Sequence, residues 1–137
     1  MYRSHVRLFL AAVAVLGLVA VPDCDGPKNR APGVPAVPVG AVYCAKDTVY
    51  TYMAAASDPE GDSVAIRFDW GDATLSPWSG WFAGGETIAL THAWSDTGTY
   101  LVRVFAQDPE HATSGLSAGL SVVVVRSPDE PAEPAGP

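Results

Sequence analysis

Through the middle of the chain, apolar residues recur at every second position. Tyr50, Tyr52, Ala54 and Ala56 alternate with Thr51, Met53 and Ala55, and Val64, Ile66, Phe68 and Trp70 alternate with Ala65, Arg67 and Asp69. The same spacing holds for Ile88, Leu90, His92 and Trp94, for Tyr100, Val102, Val104 and Ala106, and for Leu120, Val122 and Val124. A period of two sends successive side chains to opposite faces of an extended backbone, so these runs predict five strands, each with one face on a core. Between them lie Ser57-Asp58-Pro59-Glu60-Gly61-Asp62, Gly71-Asp72, Gly84-Gly85, Asp96-Thr97-Gly98 and Asp108-Pro109, all turn chemistry. Short strands separated by such turns predict a β-sandwich or barrel. The run 121–125 is apolar on both faces and reads as a central strand. No internal repeat stands out.

One local signature favours the sandwich. Asp96-Thr97-Gly98-Thr99-Tyr100 has the form of a tyrosine corner, in which the Tyr hydroxyl bonds a backbone group a few residues upstream. An antibody-type domain would carry Cys two residues later, where this chain has Val102. The expectation is therefore an all-β, immunoglobulin-like antiparallel sandwich of about seven strands, without an inter-sheet disulfide.

The ends of the chain read differently. Arg3, His5 and Arg7 precede an unbroken apolar run, Leu8–Val21, which is the layout of a secretory signal and is short for a membrane span. Nine of the 12 prolines fall outside residues 41–126, which sets a folded unit apart from its flanks. The expected organisation is a signal segment over 1–23, a Pro-rich linker over 24–41, a β-sandwich over 42–126 and a Pro-rich acidic tail over 127–137. Cys24 follows the apolar run, where this signal resembles that of a bacterial lipoprotein, although Pro22 and Asp23 depart from the small residue wanted before the Cys. Either Cys24 is lipidated and is the chain's membrane attachment, or cleavage falls near Ala20 and a Cys24–Cys44 disulfide becomes possible in an oxidising compartment.

Composition narrows the chemistry. With eight basic and 15 acidic residues the chain has a net charge of −7, which argues against nucleic acid as a partner. No His-Glu-x-x-His or phosphate-loop pattern occurs, and His92 lies on the core-facing side of its strand, so no enzyme is expected. Asp58, Glu60 and Asp62 alternate in one loop and Asp108 closes a strand, a set of oxygens a calcium ion could use and also an ordinary set of turn residues. Ser76-Pro77-Trp78-Ser79-Gly80-Trp81-Phe82 gathers three large rings, and Trp78, Trp81 and Phe82 are the candidates for stacking on sugars or anchoring a protein interface.

Several of these residues together resemble the polycystic kidney disease (PKD) domain family. Asp69-Trp70-Gly71-Asp72 resembles its W-G-D-G signature, Thr91-His92-Ala93-Trp94 its H-x-Y/W element, and Gly98-Thr99-Tyr100-Leu101-Val102 its G-T-Y-x-V strand, with Asp108 at that strand's closing Asp. Asp58-Pro59-Glu60-Gly61-Asp62 matches the D-P-x-G-D turn of bacterial members, and Trp78-Ser79 a frequent W-S pair. The departure is Ala73, where the family carries the last Gly of its signature. The resemblance implies a seven-stranded sandwich, usually extracellular, that binds or spaces without catalysis. It also implies structural roles for Asp69, Trp70, Gly71, Asp72, His92, Trp94, Asp96, Gly98 and Tyr100, and calcium near the acidic loops in some members. The expected function is thus an exported, envelope-anchored module contacting a protein or polysaccharide, or acting as a spacer. The alternative is a calcium-stabilised carbohydrate-binding module accessory to an extracellular hydrolase.

Overall fold

The described residues form six strands: β1 (Tyr43–Ala45), β2 (Tyr50–Ala54), β3 (Ala65–Asp69), β4 (Ile88–His92), β5 (Gly98–Gln107) and β6 (Leu120–Val125). They are seen in a computed structural model that describes residues 28–129 together with Gly26, Pro131 and Gly136. The signal segment 1–23, Cys24 and most of the tail beyond 129 lie outside the described residues. Five of the strands coincide with the five alternating runs; β1, only three residues long, has no such run.

The strands form two layers, one in the order β1-β6-β5-β3 and the other β2-β4. Val64, Ile66, Phe68, Trp70, Tyr52, Trp94, Val102, Val104 and Val122 are buried between them, on the faces their period assigns. Burying each large apolar side chain contributes ~1.5–3 kcal/mol, so this interior is the main source of stability. Tyr52, Trp70 and Trp94 meet edge-on with centroids 5.7–6.3 Å apart. The Tyr52 hydroxyl donates to the Ala41 carbonyl at 2.8 Å and lies 3.4 Å from the Cys44 sulfur. Burial first, and the Cys44 contact second, push its phenol well above the ordinary value.

Two expectations need correction. The layers are not wholly antiparallel, because β1 runs parallel to β6, pairing Tyr43 with Val123 and Ala45 with Val125. The cause is a change of sheet: Val39 pairs with Met53 of β2, and within a few residues the chain joins β6 on the other layer. Gly40 makes the crossing possible, since a Cβ there would sit 2.2 Å from the Tyr52 ring.

The stretch 28–41 is also no free spacer. Pro32, Pro35 and Pro38 are buried, Gly33 N donates to Ser57 O at 2.9 Å, and Arg30 pairs with Glu60 at 2.7 Å. The packed unit therefore reaches upstream of residue 42. Proline's extended backbone suits a sheet margin, where no ladder N–H is required of it.

Candidate functional site

Three groups of sequence-predicted residues take up distinct places on this frame. The first is a ring cluster at the end of β3 and β4. His92 stacks on Trp70 (centroids 4.6 Å, planes 5° apart) and its Nε2 lies 2.8 Å from Asp72 Oδ2. Trp94 donates its indole N–H to the Trp70 carbonyl at 3.3 Å and stacks on Tyr100. The Tyr100 hydroxyl donates to Asp96 O at 3.0 Å, closing the tyrosine corner, with Gly98 against its ring. Burial works to raise the Asp72 carboxyl, but hydrogen bonds from Thr74 and His92 outweigh it and hold it below the ordinary carboxylate value. His92 is thus fixed between an indole face and a carboxylate, with every contact serving to hold the cluster together.

The backbone of this turn explains two residue choices. Asp69 Oδ1 accepts from Gly71 N, and Gly71 has φ +79° with the Leu101 backbone 2.7 Å from where a Cβ would stand. Only glycine fits there. Ala73 has φ 67°, so the position where the sequence departs from the signature does require a left-handed backbone, and alanine occupies it under strain.

The second group is the acidic end. Asp58-Pro59-Glu60 and Asp108-Pro109-Glu110 form matching turns, with Gly61 N donating to Asp58 O and His111 N to Asp108 O. Asp58 Oδ1 accepts from Glu60 N at 2.8 Å and Asp62 N at 3.4 Å; Asp108 Oδ1 accepts from Ala112 N at 2.8 Å. Consecutive residues Asn29 and Arg30 tie the two turns together, through Asp108 Oδ2 and the Glu60 carboxylate. The hydrogen bond from Arg30 lowers the Glu60 pKa. Among the described residues no three His, Cys, Asp or Glu side chains form a set able to hold a metal ion. Three of the four carboxylates, those of Asp58, Glu60 and Asp108, already accept from amides or from Arg30, and Asp58 Oδ2 is a buried oxygen without a hydrogen-bond partner.

The third group is the aromatic flank, residues 75–82, which runs along the outer margin of β3. Ser76 N donates to Phe68 O and Ser79 N to Ile66 O, while Phe68 N and Ile66 N donate back to the two serine hydroxyls. Phe82 exchanges both backbone bonds with Val64. Hydroxyls and backbone thus hold the segment, and its rings are divided. Trp78 packs edge-on against Phe105 at 5.2 Å under the Arg67 guanidinium. Trp81 and Phe82 are 50% and 36% exposed, and Leu75, at the other end of the segment, is 47% exposed.

With this arrangement in view, the likeness to solved proteins is specific. The PKD domain of an M14-like peptidase from Thermoplasmatales archaeon SCGC AB-540-F20 is 32% identical, matching 71% of this chain and 98% of its own length with a TM-score of 0.64. The chain belongs to the PKD domain family. A second structure, the CARDB domain of a Pyrococcus furiosus protein in complex with di-metal ions, shares the fold at a TM-score of 0.50 and 13% identity, over 73% of this chain and 94% of its own. No protein-family model and no curated protein matches the chain.

Within this PKD module the ring cluster, the acidic turns and the aromatic flank stand apart from one another. Cys44 is a buried free thiol beside Tyr52; its possible partner Cys24 lies outside the described residues. Among the described residues no helix is long and apolar enough to cross a membrane. Sequence reasoning missed the four serines that fasten the irregular segments, Ser76, Ser79, Ser114 and Ser117, and the Asn29–Arg30 tie. The signal for the serines was present in the repeated Ser-x-x-Ser spacing.

Proposed function

We propose that this PKD module is exported and works without catalysis, by presenting the aromatic flank to a polysaccharide or protein of the cell envelope. The observation that carries this reading is the exposure of Trp81 and Phe82 on a segment whose own anchoring uses backbone and serine hydroxyls. Those rings are not needed to close the core, and an exposed indole offers a flat apolar face for a sugar ring or an interface pocket. The apolar run Leu8–Val21 supports export, and Cys24 supports attachment by lipid. The His92–Asp72 pair supports a scaffolding role, since its imidazole is sandwiched on Trp70.

Retention of the full chain on immobilised polysaccharides tests this, with Trp81→Ala alongside. Under a sugar-contact role the wild type is retained and Trp81→Ala elutes early with an unchanged melting temperature. A wild type that passes through every polysaccharide column removes the sugar role, and a variant that unfolds removes the aromatic flank as a contact surface.

A further inference from the structure

The margins of the two layers are not equally protected. The outer margin of β3 is covered by residues 75–82, and that of β2 is met by Val39. Among the described residues no strand or bridge pairs with the outer margin of β4, and the hydrogen-bond pattern shows which of its groups point outward. Met53 exchanges both backbone bonds with Val39, so its neighbours Tyr52 and Ala54 are the β2 residues that bond β4. Their partners are Leu90 and Ile88, and Tyr50 likewise faces His92. Backbone groups alternate sides along a strand, so the N–H and C=O of Ala89 and Thr91 point away from β2. Both residues are exposed. Strand margins of this kind are normally blunted by Lys, Pro or a bulge. Residues 87–95, Thr-Ile-Ala-Leu-Thr-His-Ala-Trp-Ser, contain no Lys, Arg, Asp, Glu or Pro.

We infer that β4 pairs with β4 of a second copy of this chain, antiparallel about a two-fold axis at Leu90, so that Ala89 and Thr91 of each copy exchange four backbone hydrogen bonds with Thr91 and Ala89 of the other. The register is self-complementary: the two outward residues lie symmetrically about Leu90, and each outward donor meets an outward acceptor. Charge favours this place over others. A chain of net charge −7 repels its copy over most of its surface, and the uncharged β4 margin is where two copies approach without acid facing acid. The side chains on the exposed face, Ala89 and Thr91, are small enough for two sheets to continue flat across the joint. The contact is short, so the pair is weak and concentration-dependent.

Sedimentation of the full chain over a concentration series tests the inference. The wild type moves from monomer to dimer as concentration rises. Thr91→Pro removes one outward N–H, leaves the ladder to β2 intact and abolishes the dimer. Should that variant fail to fold, Ala89→Asp with Thr91→Asp decides the matter, because it sets like charges opposite each other across the joint on side chains already in solvent. The register is checked by Ala89→Lys with Thr91→Asp, which places Lys opposite Asp and restores the dimer. A wild type that stays monomeric into the millimolar range overturns the inference, as does a dimer that survives both Thr91→Pro and the double-Asp change.

Discussion

Residues 64–82 and 102–120 are two hairpins with one hydrogen-bond plan. In the first, Trp70 N meets Thr74 O, Asp69 pairs with Leu75, Phe68 with Ser76, Ile66 with Ser79 and Val64 with Phe82. In the second, Asp108 N meets Ala112 O, Gln107 pairs with Thr113, Ala106 with Ser114, Val104 with Ser117 and Val102 with Leu120. Even the strained residue recurs, as Ala73 with φ 67° and His111 with φ 68°. In both, a Ser-x-x-Ser segment sets three residues against two of the strand, and each hydroxyl accepts a strand N–H that an ordinary partner carbonyl would have taken.

What differs is the neighbour beyond. The second returning segment continues into β6, which β1 covers. The first remains the sheet margin, and its rings Trp81 and Phe82 stay exposed. The same backbone device builds the interior in one place and displays a surface in the other. The contrast is the physical ground for assigning contact to residues 75–82.

The largest effects should come from the serines, and they should cross between the hairpins. The bonds from Phe68 N to Ser76 and from Val104 N to Ser117 are buried, whereas those to Ser79 and Ser114 are partly buried. Ser76→Ala and Ser117→Ala should each cost about 2 kcal/mol, because a buried amide is left unpaired, and Ser79→Ala and Ser114→Ala about half as much. Denaturant titration checks this. Costs that instead follow position, with Ser76 matching Ser114 and Ser79 matching Ser117, would show that burial does not set them.

Relieving the left-handed residues should be milder and of opposite sign. Ala73→Gly and His111→Gly should each stabilise by about 1 kcal/mol in the same titration, if the two turns are as alike as their dihedrals. A loss of stability at either position would separate the turns.

The smallest effect concerns acid. The Asp72 carboxyl lies below its ordinary value of 3.8 in the folded chain, so its stabilisation is complete above that value and is lost as pH falls through the folded one. Asp72→Asn should flatten the acid limb of a stability–pH curve between those limits. No counterpart of this bond is seen in the second hairpin, where Glu110 stands in the corresponding turn position.

The parts of this fold that alternate were legible in the sequence, because burial on one face imposes a period of two. Val64, Ile66, Phe68 and Trp70, and Val102, Val104 and Ala106, all lie where that period puts them. The signature residues Trp70, His92, Trp94 and Tyr100 were legible through their spacing. The repeated hairpin was not, since its two copies share little beyond Ser-x-x-Ser and serines carry no hydropathy signal. Nor was the packing of residues 28–41, because proline density reads alike in a free spacer and along a sheet margin. The acidic residues were read as turn or ligand with the same letters; Asn29 and Arg30, distant in sequence, take up Asp108 and Glu60.

The most direct measurement sets the two hairpins side by side. Trp81→Ala with Phe82→Ala on the first, and Leu116→Ala, an exposed apolar residue on the second, are compared for polysaccharide retention and melting temperature. The first pair of changes should lose retention, Leu116→Ala should keep it, and both variants should melt close to the wild type. Equal retention in the two, or a marked fall in melting temperature on removing Trp81 and Phe82, would contradict the division between a structural hairpin and a displaying one.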